Sequence, residues 1–141
     1  MNLAVENLAD DERQKLLRSA IGLRPPAWVG AVDRGGQFYL APFAFITAVC
    51  MDPMSVLFCV NNGTDPAANQ LLRALVTTGE FVINFPTAAT IAMLNVHLAA
   101  AERDQAAVDW SNLTTPCQMI CPPRLDAVSL AFECRLHQVM K

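Results

Sequence analysis

The chain has 141 residues, 53% of them hydrophobic and 16% charged, and its formal net charge is −3. This length provides one domain with a substantial core, and the ten lysines and arginines form no cluster of the kind that binds nucleic acid. The apolar content predicts a surface that meets another chain, whereas the longest apolar run, residues 40–51, is too short to span a membrane.

The periodicity of apolar residues predicts strands mixed with helices. In chain order the predicted elements are a helix over 10–21, a strand over 27–32, a hairpin turn over 33–37, a returning strand from 38 that is interrupted at 42 and resumes to 50, a strand over 55–60, a helix over 66–78, a strand over 80–85, a helix from 87 to about 102, a short strand near 113 and a last strand from 130.

Cap and turn residues set several of these boundaries. Gly22 and Gly79 can end the helices before them in the left-handed conformation. Asp65 followed by Pro66 places an N-cap residue before a proline at the first helical position, and Thr87 can cap the third helix. The helices are therefore predicted to begin and end near these residues.

Pro42 interrupts the strand that returns from the hairpin turn. Proline has no amide proton, so the strand must break, bulge or lie at the edge of a sheet there. We expect Pro42 to bend the chain so that neighbouring main-chain amides face a ligand. The alternative is an edge-strand proline with no ligand.

Apolar side chains on both faces of the strands predict a barrel wall that is covered by helices or by a second subunit. The last strand shows a clear alternation, because Leu130, Phe132 and Cys134 alternate with Glu133 and Arg135. A strand of this kind needs neighbours on both sides. We therefore expect that closing strands are missing from this chain or that another subunit supplies the neighbour.

Cysteine usage and the polar start of the chain predict a reducing compartment. The five cysteines are an odd number without the paired spacings of a disulfide framework. Residues 1–15 are too acidic for a secretory signal peptide, so a cytoplasmic location is expected. Cys117 and Cys121 lack zinc-type spacing and a nearby histidine, and no metal site is predicted.

Five ordered blocks of sequence carry a resemblance to a known family. They read RPPAWVGAVDRGGQFYLAPFAF, AVCMDPMSVLFCV, RALVTTGEFVINF, NLTTP and PPRL…SLAFECRL. From about Gly22 to the C-terminus the chain resembles the flavin reductase-like family. The resemblance implies an α+β fold that is mainly β with flanking helices: an FMN-binding split β-barrel, Greek-key-like and incomplete at its C-terminus. It would form a single domain over 1–141, with the barrel from about residue 25.

The same resemblance implies a flavin site. In the family, the segment that matches Leu40 to Thr47 touches the flavin, and the region that matches Asn69 to Leu71 approaches its phosphate. The candidate cofactor-binding residues are Arg24, Ala41, Pro42, Phe43, Ala44, Phe45, Thr47, Asn69 and Gln70. No side chain is expected to be catalytic, because the cofactor performs the hydride chemistry.

The chain departs from the family pattern at several of these positions. Ala44 stands where the family often has serine, and Asn69-Gln70-Leu71 stands where it often has Lys-Asp-Thr. The missing lysine removes a charge that would pair with phosphate. Arg24 and Arg73 are the candidates to compensate for it.

Two functions are consistent with the sequence. The first is an FMN-binding oxidoreductase of the flavin reductase type, with FAD as the alternative flavin and NAD(P)H as a transient substrate. It would pass electrons to free flavin, a partner oxygenase or another acceptor, as a homodimer with the flavin near the subunit interface. The second is a non-catalytic split-barrel binding protein, or an inactive fragment, in which the flavin site is weakened.

Overall fold

The computed structural model describes residues 8–20, 26–60, 66–104 and 108–140. In chain order its elements are α1 (Asp10–Ala20), β1 (Ala27–Val32), β2 (Phe38–Phe43), β3 (Ile46–Met51), β4 (Met54–Phe58), α2 (Pro66–Thr78), β5 (Glu80–Pro86), α3 (Ala88–Asp104), β6 (Thr114–Thr115), β7 (Arg124–Leu125) and β8 (Val128–Arg135). The expected class, mainly β with flanking helices, is confirmed. No helix in the described ranges is long and apolar enough to cross a bilayer.

Four antiparallel strands form the main sheet in the order β2-β1-β5-β8. Strands β3 and β4 form a separate hairpin, and β6 pairs with β7 in a third, short sheet. Within the described residues the main sheet does not close: β2 and β8 each have one neighbour. The extent of the domain over 1–141 stays a prediction.

Helix α2 covers one face of the main sheet. Its buried Leu71 and Leu75 pack against Val29 of β1, Phe43 of β2 and Ile83 of β5 in one apolar cluster. The β3–β4 hairpin adds Ile46 and Phe58 to the same cluster. Because strand side chains alternate between faces, the residues between these core positions point to the other side of the sheet.

The second face is covered by α3 and by the segment around β7. Trp28 and Leu40 of the sheet pack there against Leu94 of α3 and Leu125 of β7, both of which are fully buried. The sheet is thus buried on both faces, as the apolar strands predicted. The covering elements are helices and the small β3–β4 and β6–β7 sheets.

Two helix boundaries follow from the predicted cap chemistry. The hydroxyl of Thr87 accepts a hydrogen bond of 3.2 Å from the main-chain N–H of Thr90, which caps α3. Gly79 has φ of +75° and donates its N–H to the carbonyl of Leu75 at 2.8 Å, which ends α2. Gly22 and Asp65 lie outside the described residues.

Of the three outcomes predicted at Pro42, the structure shows an edge strand, and the interruption itself falls two residues later. Strand β2 continues through Pro42, which is in register with Trp28, and ends at Phe43. A proline is tolerated there because β2 lies at the edge of the sheet. The break falls at residues 44–45, after which the chain enters the β3–β4 hairpin.

Smaller differences concern the strand ends. Strand β4 covers Met54–Phe58 instead of 55–60, and β8 begins at Val128 instead of Leu130. The short strand near residue 113 is Thr114–Thr115, and its partner β7 was not predicted. Leu130, expected on the apolar face of the last strand, is 50% exposed.

Candidate functional site

The chain crosses from the main sheet to the β3–β4 hairpin at Ala44 and Phe45. Neither residue belongs to a strand ladder, since the β1–β2 register ends at Phe43 and the β3–β4 register begins at Ile46. The carbonyl of Phe45 accepts a hydrogen bond of 3.1 Å from the N–H of Cys59. We call residues 42–47 the crossing segment.

The crossing segment presents three of the predicted cofactor residues at the surface. Pro42, Ala44 and Thr47 are exposed, and the hydroxyl of Thr47 donates to the carbonyl of Ala48 at 3.3 Å. Phe45 is half-buried. These residues are therefore accessible to a ligand that lies along the outer edge of β2 and the start of β3.

Two predicted residues of this region belong instead to the core. Ala41 and Phe43 are buried in the cluster under α2, and the ring of Phe43 meets that of Phe58 edge-to-face at 5.2 Å. Their side chains support the crossing segment from inside. Only their main chain is placed to face a ligand at the edge of the sheet.

The remaining predicted residues were assigned to the region around α2. Asn69 and Gln70 are both exposed on this helix, next to the buried Leu71. Arg24 lies outside the described residues. Apart from Arg24, the candidate residues therefore lie in two places, residues 41–47 and the exposed flank of α2.

An open cleft of about 440 Å³ runs between α2 and the turn that joins β1 to β2. We call it the turn cleft. Gln70, Arg73 and Thr77 line its helical wall, and Asp33 and Arg34 of the turn line the opposite wall. Its volume lies in the range of small-molecule sites. Neither Arg34 nor Arg73 forms an ion pair with a carboxylate among residues 8–20, 26–60, 66–104 and 108–140.

Asp33 is fixed in this cleft by three hydrogen bonds. One carboxylate oxygen accepts the main-chain N–H groups of Gly35 at 2.8 Å and Gln37 at 3.0 Å, and the other accepts the hydroxyl of Tyr39 at 3.1 Å. The bond from Gln37 is the largest cause that lowers the pKa of Asp33. The carboxylate is ionised at neutral pH, and its lone pairs already hold the turn in place.

The sequence did not identify Arg34 and Tyr39 as site residues. The Asp-Arg-Gly-Gly-Gln segment indicated a turn, and an aspartate that accepts the N–H two residues later is typical of one. Nothing local indicated that the turn would face α2, because that contact joins residues about 40 positions apart.

A second group of motif residues holds the loop over residues 117–121. Glu133 accepts the main-chain N–H groups of Gln118 at 3.1 Å and Met119 at 2.6 Å. Glu80 accepts the N–H of Cys121 at 2.9 Å and lies 3.5 Å from the guanidinium of Arg135. The acidic residues of the TGEF and ECRL motifs therefore have a structural role.

This loop does not contain a reactive thiol at Cys117. Burial, and then the negative charge of Glu133, raise the pKa of Cys117 to about 11. Burial also raises the pKa of Cys134 to about 11. All five cysteines are free. In the described part of the chain, no group of three or more His, Cys, Asp or Glu side chains could hold a metal ion.

Comparison with known proteins identifies the family. The family model described as flavin reductase like domain matches residues 23–141. The chain belongs to this family. The match covers every block of sequence on which the resemblance was based and contains both the crossing segment and the turn cleft.

Curated relatives of this flavin reductase-like chain are uncharacterised proteins. It is 28% identical to the protein YwrF of Bacillus subtilis over 134 residues, which are 94% of this chain and 65% of YwrF. It is 23% identical to a protein of Aquifex aeolicus over 98% of this chain and 71% of the relative. The chain thus spans about two thirds of the length of these relatives, and less than that of YwrF.

Solved structures confirm the split-barrel fold of this flavin reductase-like protein. The 2-nitrobenzoate 2-nitroreductase NbaA of Pseudomonas fluorescens matches with a TM-score of 0.76 at 22% identity, over 99% of this chain and 67% of that one. Component B of nitrilotriacetate monooxygenase from Bacillus cereus matches with a TM-score of 0.74 at 22% identity, over 98% of this chain and 68% of that one. A Shewanella frigidimarina protein described as a flavin reductase with a split barrel domain matches with a TM-score of 0.73 at 15% identity, over 95% of this chain and 66% of that one.

Proposed function

We propose that this chain binds FMN and acts as a flavin reductase, accepting hydride from NAD(P)H and passing electrons to an acceptor. The observation that carries the proposal is the crossing segment. In a family defined by flavin chemistry, the exposed Ala44 lies outside both strand ladders, where the chain leaves the edge strand β2. Main chain of this kind can offer hydrogen bonds to the carbonyls and nitrogens of a flavin ring.

The residues at the two candidate positions fit a flavin mononucleotide. Around the ring, exposed Pro42 and Ala44 provide an apolar surface and Thr47 a hydroxyl. Towards the phosphate, Asn69 and Gln70 provide side-chain amides, which donate hydrogen bonds but carry no charge. The bound flavin supplies the redox chemistry, while the protein orients the ring and limits its contact with water.

A non-catalytic binding protein is the second candidate, and one observation favours it. The two amides of Asn69 and Gln70 occupy the positions where the family often has lysine and aspartate, and no side chain of the crossing segment is charged. Uncharged donors bind a phosphate dianion more weakly than charged ones do. A weak flavin site would leave the fold intact while reducing cofactor occupancy.

We further propose that the protein is a homodimer in which the β3–β4 hairpin is covered by a second copy. Met51 and Met54 at its tip are 85% and 74% exposed, and Val49 and Leu57 are also exposed. A contiguous apolar surface of this kind is characteristic of an interface. The free thiols of all five cysteines are consistent with a reducing, cytoplasmic environment.

A partner oxygenase is the proposed acceptor. Two structural neighbours support this acceptor: nitrilotriacetate monooxygenase component B and the styrene monooxygenase flavin reductase of Pseudomonas putida, which matches with a TM-score of 0.55 at 14% identity. Both are described as reductase or monooxygenase components. Free flavin is the alternative acceptor.

The proposal is tested by titrating the purified chain with FMN, and separately with FAD, while following the quenching of flavin fluorescence. Saturable binding of FMN, followed by NADH or NADPH oxidation that depends on FMN, is the expected result. A chain that binds neither flavin would overturn the oxidoreductase proposal. Binding without NAD(P)H oxidation would support the non-catalytic candidate.

A positive charge introduced on α2 tests whether the phosphate of FMN binds next to Asn69. The substitution Asn69→Lys introduces a cation at the position where the family often has lysine, and we expect it to tighten FMN binding by roughly tenfold and leave riboflavin binding unchanged. The matched control is Asn95→Lys, which makes the same change on the exposed side of α3. An equal effect of both substitutions would show that only the net charge matters.

A further inference from the structure

The turn cleft contains two cations, Arg34 and Arg73, and only Arg73 was considered above as a substitute for the missing lysine of the flavin site. Arg34 belongs to the β1–β2 turn and Arg73 to α2, and both residues line the cleft. Guanidinium groups bind phosphate oxygens through paired hydrogen bonds. Both arginines are exposed, and neither pairs with a carboxylate of the described residues.

Asp33 adds one negative charge to the same cleft, so its described lining has two cations and one anion, a net charge of +1. The two oxygens of Asp33 accept three hydrogen bonds from Gly35, Gln37 and Tyr39. These hydrogen bonds direct the carboxylate towards its own turn and hold the turn in one conformation. The main chain of Arg34, the next residue, is therefore held in a fixed position at the cleft.

The position of the cleft along the strands distinguishes it from the crossing segment. The turn follows the Val32–Phe38 end of the β1–β2 pair, whereas the crossing segment follows the Ala27–Phe43 end. Five residue steps along a strand separate these ends by about 17 Å. The helical wall from Gln70 to Thr77 is about 10 Å long.

We propose that the turn cleft binds the 2′-phosphorylated adenosine of NADPH, with Arg34 and Arg73 on either side of the phosphate, so that this chain selects NADPH over NADH. The inference rests on the proposed function for the nicotinamide substrate. A ligand whose nicotinamide reaches a flavin at the crossing segment needs its second nucleotide some distance away, and the turn lies at the opposite end of the β1–β2 pair, about 17 Å along the strands. Thr77 adds a neutral hydroxyl group on the same helical wall.

The test uses probes that contain no flavin or nicotinamide. Isothermal titration calorimetry compares adenosine 2′,5′-bisphosphate with adenosine 5′-monophosphate on the wild-type chain, Arg34→Gln and Arg73→Gln. The control is Lys15→Gln, which removes an exposed cation on α1. Both arginines are exposed, so folding should be retained, and thermal unfolding verifies it.

We expect the wild-type chain and Lys15→Gln to prefer the bisphosphate by at least about tenfold. Each arginine substitution should weaken bisphosphate binding by roughly 10- to 100-fold while changing monophosphate binding little. Equal affinity of the wild-type chain for the two probes, or a preference that persists in both arginine variants, would overturn the proposal.

A second set of titrations tests whether the turn cleft binds the phosphate of FMN instead of NADPH. FMN and riboflavin are titrated into the same variants. If the arginine substitutions weaken FMN binding but not riboflavin binding, and leave the adenosine probes unaffected, the cleft holds the flavin phosphate and the NADPH assignment is wrong. If the chain binds no flavin, the proposed function fails, while the adenosine titrations still decide the ligand of the cleft.

Discussion

The side chain of Asn84 connects the main sheet to strand β7 through the N–H of Leu125. Its oxygen accepts that N–H at 2.9 Å, and its nitrogen donates to the carbonyl of Trp28 at 3.1 Å. Asn84 and Leu125 are both fully buried. A buried polar side chain is stable only when its hydrogen bonds are made, and here one amide satisfies two main-chain groups from distant parts of the chain.

We predict that Asn84→Ala lowers the free energy of unfolding by about 2 to 4 kcal/mol, because it leaves the N–H of Leu125 and the carbonyl of Trp28 without these partners. Urea unfolding followed by tryptophan fluorescence measures the change. The control Asn95→Ala removes an exposed amide from α3 and should change stability by less than about 0.5 kcal/mol. A similar loss in both variants would contradict a bridging role for Asn84.

Gly30 allows the ring of Phe38 to lie against the sheet. A Cβ atom at residue 30 would stand 2.7 Å from two ring carbons of Phe38 and 3.1 Å from a methyl group of Val82. The ring cannot retreat freely, since it packs edge-to-face on Trp110 at 5.9 Å. We predict that Gly30→Ala destabilises the protein by about 1 to 3 kcal/mol, measured by thermal or urea unfolding.

A double-mutant cycle separates this overlap from other effects of the substitution. In the background of Phe38→Leu, whose side chain is shorter, Gly30→Ala should cost clearly less than in the wild-type chain. If the cost of Gly30→Ala is the same in both backgrounds, contact with the ring is not its cause.

The sequence predicted most of the elements because each is specified by local chemistry. Strand β1 and the end of α2 at Gly79 have the predicted positions, since apolar alternation and a left-handed glycine act within a few residues. Local chemistry left three outcomes open at Pro42: a break, a bulge or a position in an edge strand. Whether a proline breaks a strand depends on the presence of a neighbour on its outer side, and that follows from the strand order of the sheet.

The candidate site was predictable only in part for the same reason. Motif resemblance indicated residues 41–47, but it could not separate Ala41 and Phe43, which are buried, from Ala44 and Thr47, which are exposed. The turn cleft depends on the contact of α2 with a turn about 40 residues earlier. Glu80 and Glu133 were motif residues whose partners lie in an irregular loop, and such partners leave no periodic pattern in sequence.

The hydrogen bonds of Glu133 to the loop over residues 117–121 make the free energy of unfolding depend on pH. Hydrogen bonds from the N–H groups of Gln118 and Met119 are the main causes that lower its pKa in the folded protein. A carboxyl with a lowered folded pKa stabilises the protein above its unfolded pKa of about 4.3 and loses this contribution as pH falls through the folded value. We predict a loss of stability on acidification from about pH 6 to about pH 3 that is smaller in Glu133→Gln.

Urea midpoints measured across this pH range test the prediction. The control Asp11→Asn removes an exposed carboxylate that pairs with Lys15 on α1, and it should keep the acid dependence of the wild-type chain. Asp33, whose pKa is also lowered by hydrogen bonds, will leave some dependence in every variant. An unchanged acid dependence in Glu133→Gln would show that the loop is not held through this carboxylate.

The proposed dimer interface makes a prediction about association. Met51 and Met54 lie opposite each other at the tip of the β3–β4 hairpin and are the most exposed of its apolar side chains. If a second copy covers them, the double substitution Met51→Glu with Met54→Glu buries unpaired charges in the interface, which is strongly unfavourable. We expect the wild-type chain to be dimeric and this variant monomeric in sedimentation velocity experiments at micromolar concentration.

The control for this experiment is Val96→Glu, which places a carboxylate on an exposed apolar position of α3, 67% accessible, on the other side of the main sheet. It should leave the dimer intact. The unfolding midpoint of the double variant, extrapolated to low protein concentration, should match that of the wild-type monomer, because the substituted side chains are exposed there. A wild-type chain that remains monomeric at all concentrations, or a dimer that persists in the double variant, would place the interface elsewhere or exclude it.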